Sequence, residues 1–552
     1  MPVYRSKTWV NIPDDLSISQ LMQDNISDTP PNKIIYEEAH TGKIATYGTF
    51  HRQIRRTACL LQQRLHFQPG QIVAISASSS IDYILVAQAI WWAGGIISPI
   101  NNTLHPDELR RAIELIKPRY LVIDESVHDK AQAITEKCTN APRILTIGKR
   151  PRGSIWPSFP IDQSPSIDNE PELLDPTPVN PKDCAAILLS SGTTGHSKAV
   201  MLSHRNLVAT CYQLRYDNPQ NWRGSQREVF FPPLSHVYAL YVCFTMCCWL
   251  GAYVCLMPRF DLELYCQMMQ DRKVTLARVV PPVAKLLAEE KVVRKYKYPC
   301  LEYFSCSAAP LHHTATKLRE TFPGVALCQT YGCTELSGPC AQSGVRDSNL
   351  SLSAAGSLVA NSELRFLDPE GKDVGARGPG EITCRGPNVM MGYKDNEQET
   401  AKTISADGWL RTGDLGYLDD NAYLYIYDRI KDLIKYKGFQ VAPSEIESIL
   451  IQHPLVREAA VIGVFSADEA TEIPRGFVSL KDVIRSEQRA WVSSSIDKFL
   501  AERVSNYKRL RGGVVIVDEL PRNPTGKVLK KVLKEKYGDL SIPERGKLTA
   551  KL

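Results

Sequence analysis

The chain has 552 residues, which at roughly 150 residues per domain predicts two to four folding units. Hydrophobic residues make up 43% and charged residues 23%, a balance that excludes a disordered chain, a coiled coil and a collagen-like repeat. The formal net charge of +6 is too small over this length to indicate a nucleic-acid partner.

The first 190 residues alternate helix and strand patterns. The predicted elements, in chain order, are a helix over 50–65, a strand over 71–75, a helix over 83–93, a helix from Pro106, a strand over 120–123 and, after the proline-rich connection 151–182, a buried strand over 184–189. Repeated strand–helix units predict a mainly parallel sheet with helices on both faces.

The segment 237–257 has 21 residues without a formal charge, long enough in principle to cross a bilayer. Gly251 interrupts it, and the residues after the glycine are enriched in β-branched and aromatic types. We therefore expect a buried helix followed by a core strand, and no membrane span. The 15 cysteines form no CxxC pair, and no secretory signal begins the chain, so we expect reduced thiols in a reducing compartment.

The sequence pattern changes in the last third of the chain. Gly-, Asp- and Tyr-rich turns are predicted to dominate 386–427. A smaller pattern follows, with a helix over 444–451, strands over 459–464 and 476–481, a helix over 489–503 and a strand over 514–517. The prediction is an α/β fold: a large N-terminal multi-subdomain α/β domain over 1–427, a hinge region over 428–435 and a small, mobile α+β domain over 436–552.

The strongest local motif follows the strand that ends near residue 189. It consists of Ser190, Ser191, Gly192, Thr193, Thr194 and Gly195, with Lys198 shortly after. Glycines let backbone amides turn toward an anion, hydroxyls donate hydrogen bonds and the lysine adds a cation, so the loop is predicted to bind phosphates. Its spacing fails the Walker pattern, which disfavours a P-loop NTPase.

Six further segments complete an ordered pattern. They are PPLSH at 232–236, CSAAPL at 306–311, QTYGCTE at 329–335, WLRTGD at 409–414, DRIKD through KYKGFQ at 428–440, and PTGK at 524–527. Together the seven segments resemble the acyl-adenylate-forming (AMP-binding) superfamily, and most closely its 4-coumarate:CoA ligase branch. The resemblance implies an ATP-dependent acyl-CoA ligase that joins a carboxylic acid to AMP, releases pyrophosphate and then forms the coenzyme A thioester.

The resemblance also implies roles for particular residues in the first half-reaction. Lys527 would be the cation for adenylation, Thr334 would contact the α-phosphate and Glu335 would hold Mg²⁺. Asp414 and Arg429 would bind the ribose hydroxyls. The rest of the ATP site would comprise the phosphate loop, the backbone of Ala308 and Ala309, the stacking ring of Tyr331, and its neighbours Gln329, Thr330 and Gly332.

For the second half-reaction, the small domain would swing about a hinge at Lys431. Lys435 and Gln440 are predicted to take part in the catalytic cycle together with His236. Arg259, Lys437 and Gly438 would contact coenzyme A.

The acyl pocket is predicted around Val237, Tyr238, Leu240, Ser307 and Leu336, which are mostly apolar or aromatic. An apolar aryl, arylpropenoic or medium-chain fatty acid is therefore expected. Ser307 stands where the superfamily often has glycine, and Ser305 replaces a basic residue of the plant enzymes, which argues against 4-hydroxycinnamate. Two alternatives stay open: transfer of the acyl group to a carrier protein, and a non-catalytic nucleotide-binding or membrane protein.

The chain ends Ala550-Lys551-Leu552, which resembles the peroxisomal Ser-Lys-Leu address. We expect a peroxisomal protein that meets an import receptor, or otherwise a cytoplasmic one.

Overall fold

The structure is a computed structural model. It describes residues 3–138, 140–148, 156–159, 175–190, 197–307, 314–347, 351, 353–437, 439–466, 469, 471–523 and 527–537, with the backbone alone at 133, 135, 346, 440 and 486. Three sheets and their helices form the large part of the molecule, and two short sheets form the small part.

The first sheet confirms the strand–helix reading of the N-terminal region. Its seven strands lie in the order Gly392–Tyr393, Lys198–Ser203, Cys184–Ser190, Ile96–Pro99, Ile72–Ser76, Tyr120–Ile123 and Arg143–Thr146. The five from Cys184–Ser190 onward run parallel. Lys198–Ser203 pairs antiparallel with Cys184–Ser190, and Gly392–Tyr393 pairs antiparallel with Lys198–Ser203. The helices of this region are Ile18–Gln23, Tyr47–Leu65, Ile81–Trp92, Pro106–Ile116, His128–Lys137 and His204–Asp217.

The second sheet has four strands, in the order Arg227–Phe230, Tyr253–Leu256, Ile34–Glu38 and Ile44–Thr46. The uncharged segment after His236 packs beside it as helix Val237–Ala239, a π-helical stretch Leu240–Met246 and helix Cys247–Leu250, and ends in strand Tyr253–Leu256. All of its residues are buried. The predicted helix and core strand are thus confirmed. Among the described residues, no helix combines the length and apolar character needed to cross a bilayer.

The third sheet carries most of the predicted site. Its ten strands lie in the order Tyr4–Arg5, Glu363–Leu367, Gly380–Arg385, Leu410–Leu418, Leu424–Arg429, Ala354–Leu358, Gly338–Gln342, Ala326–Cys333, Tyr303–Cys306 and Leu276–Val279. Helices Leu262–Asp271, Pro281–Glu289 and Thr314–Thr321 accompany its last strands. The last three strands are parallel, and the others pair antiparallel.

The prediction of turns over 386–427 is wrong. Two strands, Leu410–Leu418 and Leu424–Arg429, form a hairpin there, preceded by helix Glu397–Thr403. Along the first strand Leu410, Asp414 and Leu418 are buried while Arg411 is exposed. Gly413 and Asp414 are common turn residues, and pairing with the neighbouring strand overrides that local preference.

The small part of the chain begins with the hairpin Ile434–Tyr436 and Phe439–Val441. A second sheet of strands Val456–Ser466, Thr471–Leu480 and Val514–Ile516 packs with helices Pro443–Leu450, Arg489–Ala501 and Lys530–Tyr537 around one core. The second sheet and helices Pro443–Leu450 and Arg489–Ala501 match the predicted α+β pattern within a few residues, whereas the hairpin and helix Lys530–Tyr537 were not predicted. The Lys285 ammonium donates to the Arg457 carbonyl at 3.0 Å, which joins the two parts directly.

Candidate active site

A buried carboxylate forms the centre of the site. Asp414 is only 5% exposed, and its two oxygens have different partners. The Tyr331 hydroxyl donates to Oδ2 at 2.8 Å, and the Arg429 Nε lies 3.0 Å from Oδ1. Burial, with Asp414 beside it, raises the pKa of Tyr331 well above its usual value, so the phenol keeps its proton and stays a donor.

Strand register brings these three side chains together. Asp414 and Arg429 are directly opposite each other on the hairpin of the third sheet. Tyr331 comes from strand Ala326–Cys333, where the pairing register shifts between Tyr331 and Gly332. A Cβ on Gly332 would lie 2.1 Å from the Gly338 carbonyl oxygen, so only glycine allows the strands to approach this closely.

Glu335 follows on the short 3₁₀ turn Thr334–Leu336 and is half-buried. The Tyr393 hydroxyl donates to Glu335 Oε1 at 3.2 Å. The described residues hold no group of three or more His, Cys, Asp or Glu side chains placed so that they could hold a metal ion. A single carboxylate fits Mg²⁺ that arrives with a nucleotide, because this ion commonly binds one or two carboxylates and otherwise phosphate and water oxygens.

Lys198 lies beside this turn. It forms an ion pair with Glu399, and its ammonium stands 4.9 Å from the centre of the Tyr393 ring. Sequence reasoning did not find Tyr393 or Glu399, because each meets Lys198 only through tertiary packing. Tyr393 therefore links the phosphate-loop lysine to the predicted Mg²⁺ ligand.

Lys527 reaches the same region from the small part of the chain. Its backbone N–H donates to Asn523 Oδ1 at 2.8 Å, and its carbonyl accepts from Asn523 N at 2.9 Å, which closes the turn. Desolvation, with the charges of Arg429 and Lys431, lowers the pKa of Lys527 to about 8, although the residue is exposed to solvent. The charge of Asp414 acts on both Lys527 and Lys431. Arg429, Lys431 and Lys527 thus lie close enough to Asp414 for their charges to interact.

Two of the residues predicted to contact coenzyme A lie on the protein surface, one in each part of the chain. Lys437 adopts a φ of +46° and pairs with Glu469 at 2.9 Å on the surface of the small part. Arg259 is exposed on the loop after strand Tyr253–Leu256. No contact between these two side chains is present among the described residues. Lys435 is also exposed, and it is opposite Gln440 across the short hairpin.

The predicted acyl-pocket residues cluster at the start of the uncharged segment. Val237, Tyr238, Leu240 and Leu336 are buried, and Ser307 is half-buried at the end of strand Tyr303–Cys306. His236 is exposed at the entrance, and its Nδ1 accepts from the Tyr238 backbone N–H at 3.1 Å. That bond leaves Nε2 to carry the proton of a neutral ring.

Part of the predicted site lies outside the described residues. This part comprises Ser191, Gly192, Thr193, Thr194, Gly195, Ala308, Ala309, Gly438 and the side chain of Gln440. Ser190 ends its strand opposite Lys198, and Gln329, Thr330 and Thr334 flank Tyr331 on the third sheet and its turn.

Two family models match the chain over both of its parts. The model described as AMP-binding enzyme matches residues 22–394, and the model described as AMP-binding enzyme C-terminal domain matches residues 445–527. The chain therefore belongs to the AMP-binding enzyme family, which confirms the resemblance drawn from its motifs.

Similar proteins extend over nearly the whole length. "Probable 4-coumarate--CoA ligase 1" of Dictyostelium discoideum is 31% identical, covering 94% of this chain and 95% of its own. "4-coumarate--CoA ligase 2" of Nicotiana tabacum is 31% identical and covers 97% of both chains. With the family established over this length, the chain is an ATP-dependent acyl-CoA ligase, an AMP-forming acid–thiol ligase that works through an acyl-adenylate. Enzymes of this family use ATP, Mg²⁺ and coenzyme A.

A solved structure of a similar protein shares this fold. ATP-bound MatB from Rhodopseudomonas palustris is 27% identical and superposes with a TM-score of 0.82 over 95% of this chain and 99% of that one. The apo structure of MatB from the same organism gives a TM-score of 0.70, again over 95% of this chain and 99% of that one. The chain as a whole thus superposes better on the ATP-bound form.

Proposed function

We propose that the Tyr331–Asp414–Arg429 group binds the ribose of ATP, with the triphosphate directed toward Lys198 and Lys527. The buried Asp414 carboxylate, which pairs with Arg429 and accepts from the Tyr331 hydroxyl, carries this proposal. A ribose diol donates hydrogen bonds to a carboxylate and accepts them from a guanidinium, so Asp414 and Arg429 offer matched partners. Mg²⁺, held at Glu335 when bound with the nucleotide, supplies further positive charge for the phosphate oxygens.

Lys527 is the cation of the adenylation step. The acid carboxylate attacks the α-phosphorus, the bond to pyrophosphate breaks, and negative charge develops on the phosphoryl oxygens. A protonated Lys527, with Thr334 on the turn after strand Ala326–Cys333, stabilises that charge while both anions are held together. The placement of Lys527 near Arg429 supports a role in this half-reaction.

The thioester step requires a different face of the small part. Lys437 and the backbone at Gly438 are our candidates for binding the coenzyme A nucleotide with Arg259, yet Lys437 now pairs with Glu469 away from the cluster. Rotation about Lys431, on the exposed 3₁₀ turn Ile430–Asp432, would withdraw Lys527 and bring the Lys435–Gln440 hairpin inward. The exposed positions of Lys431, Lys435 and Lys437 support such an exchange.

The substrate is an acid with a largely apolar body, either aryl, arylpropenoic or medium-chain aliphatic. Burial of Val237, Tyr238, Leu240 and Leu336 supports this class, because such walls favour apolar surface. The test incubates the purified protein with Mg-ATP, coenzyme A and a panel of these acids, and measures AMP and acyl-CoA together. We expect equal amounts of both products. AMP without thioester would instead favour transfer to a carrier protein.

Import into peroxisomes remains a proposal that rests on the Ala550-Lys551-Leu552 tripeptide alone, and these residues lie outside the described ranges. A fluorescently tagged copy that lacks these three residues should stay in the cytosol while the full chain enters peroxisomes. Import of the shortened copy would contradict the proposal.

A further inference from the structure

A narrow cavity adjoins the predicted acyl-pocket residues. Its lining residues are Asn221, Trp222, Tyr241, Arg278, Tyr303, Ser305, Thr330, Pro339 and Gln342. Thr330 directly precedes Tyr331 of the nucleotide site, and the Tyr241 ring lies 5.3 Å from that of Tyr238. The cavity is thus next to Tyr238 of the predicted pocket, within reach of the end of the acid remote from its carboxylate.

One wall of the cavity is a buried guanidinium. Arg278 is 3% exposed on strand Leu276–Val279, directly opposite Ser305 on the neighbouring strand. Its Nε donates to Glu228 Oε2 at 2.5 Å, and its Cζ stands 4.5 Å from the centre of the Trp222 ring. These contacts fix the guanidinium rigidly against the cavity.

Three buried donors on residues that line the cavity have no acceptor. Arg278 Nη2, Trp222 Nε1 and Gln342 Nε2 each lack a hydrogen-bond partner, although all three atoms are shielded from solvent. A buried donor without an acceptor is unfavourable, more so when it is charged. All three atoms are donors, which means that the missing group is an acceptor.

The local charge balance limits what that acceptor can be. Glu228 already neutralises Arg278, and its other oxygen accepts from the Cys247 thiol at 3.2 Å. A second carboxylate would add an uncompensated negative charge to a dry site, which is strongly unfavourable. A hydroxyl would bring a hydrogen that itself needs a partner. A carbonyl oxygen has two lone pairs and no hydrogen, and so can accept from both Arg278 Nη2 and Trp222 Nε1.

We propose that Arg278 and Trp222 form a specificity subsite for an acid that carries a neutral carbonyl oxygen at the end remote from its carboxylate. The subsite rests on the proposed function, since it adjoins the same acyl pocket. It identifies the substrate class more closely as an oxo acid with an apolar body. Arg278 and Glu228 were missed by sequence reasoning, although a lone charge within an apolar strand is a signal of a buried pair.

The test compares acids of one shape that differ only at the remote end. On an aryl skeleton these are 4-isopropyl-, 4-acetyl-, 4-(1-hydroxyethyl)- and 4-carboxycinnamate; on an aliphatic one, 7-methyloctanoate, 7-oxooctanoate, 7-hydroxyoctanoate and heptanedioate. AMP release gives kcat/KM for each. We expect the oxo acid of at least one skeleton to exceed its hydrocarbon parent by about tenfold or more, and the dicarboxylate to be the poorest.

Variants then assign the preference to the subsite. Arg278→Lys keeps a cation for Glu228 but removes Nη2, and Trp222→Phe removes Nε1 while keeping a ring. Each should reduce the oxo preference to about threefold or less while the hydrocarbon parent is still used. Tyr265→Phe is the matched control, because Tyr265 is fully buried with an equally unpartnered hydroxyl but does not line the cavity. Its oxo preference should equal that of the wild type.

The outcomes separate this inference from the proposed function. AMP release without any gain for the oxo acids, or with the hydroxy acids or dicarboxylates favoured, would overturn the carbonyl subsite and leave the ligase activity intact. Absence of AMP with every acid would overturn the proposed apolar acid class, and the subsite with it. If Arg278→Lys is unfolded by thermal denaturation, Trp222→Phe and the wild-type acid series still decide the question.

Discussion

At the scale of single residues, the Tyr331–Asp414 hydrogen bond is the contact whose role can be tested most cleanly. Tyr331→Phe removes the donor at 2.8 Å and leaves the Arg429 ion pair in place. Hydrogen bonds to charged groups contribute about 1.5–3 kcal/mol, so we expect the KM for ATP to rise by about tenfold or more. Steady-state kinetics with ATP as the varied substrate gives the measurement.

The control for this substitution is Tyr423→Phe. Tyr423 also donates to a carboxylate, Asp347, at 3.3 Å, but neither residue belongs to the nucleotide site. Its KM for ATP should stay at the wild-type value. An unchanged KM for ATP in Tyr331→Phe would show that binding of the ribose does not depend on the Tyr331–Asp414 hydrogen bond.

Lys527 makes a second prediction at this scale. Because its pKa is lowered to about 8, the ammonium form is present below that pH and is lost as the pH rises through it. Adenylation in the free enzyme should therefore fall above about pH 8, well below the usual lysine range. ATP–pyrophosphate exchange, measured as kcat/KM for ATP between about pH 6 and pH 10, tests this.

The matched variant is Lys527→Arg, whose guanidinium keeps its charge throughout that range. Whatever activity it retains should lose the alkaline decline. A wild-type profile that stays level up to about pH 10 would exclude Lys527 as the titrating cation.

At the scale of elements, the site depends on how strand Ala326–Cys333 meets strand Gly338–Gln342. A methyl group at Gly332 would press on the Gly338 carbonyl, and backbone atoms cannot yield as a flexible side chain can. Gly332→Ala should therefore lower the free energy of unfolding by about 1–3 kcal/mol and weaken ATP binding together with it. Denaturant unfolding and the KM for ATP measure the two effects.

Gly378→Ala controls for the loss of glycine itself, since a Cβ there meets nothing within 4 Å. Its stability and its KM for ATP should both match the wild type within error. Should Gly332→Ala behave the same way, the close strand approach would not be what holds Tyr331 in position.

Sequence patterns predicted most elements because their signals are local. Helix Pro106–Ile116 begins at a proline, and strand Tyr120–Ile123 is an uninterrupted apolar run. The strand that carries Asp414 was missed, because Gly413-Asp414 is a turn signal and its pairing partners lie elsewhere in the chain. The Lys198–Glu399 pair was missed for the same reason, because its members are 201 residues apart in the sequence.

At the scale of the whole molecule, the net positive charge is concentrated in one segment of the chain. Residues 521–552 carry nine Lys or Arg against three Asp or Glu, which equals the net charge of the entire chain. Lys527 lies near the start of this segment, and its charge interacts with those of Arg429 and Asp414. Under the proposed function this placement serves adenylation, and thioester formation would require the small part to turn.

The most direct test of this account separates the two half-reactions in Lys527→Ala. ATP–pyrophosphate exchange should be lost by about a thousandfold or more, since the variant removes the cation that stabilises the transition state. Conversion of supplied acyl-adenylate and coenzyme A to the thioester should continue at a rate within a few-fold of the wild type, because a different face of the small part serves that step. Equal loss of both half-reactions would contradict the assignment of Lys527 to adenylation and the two-arrangement mechanism built on it.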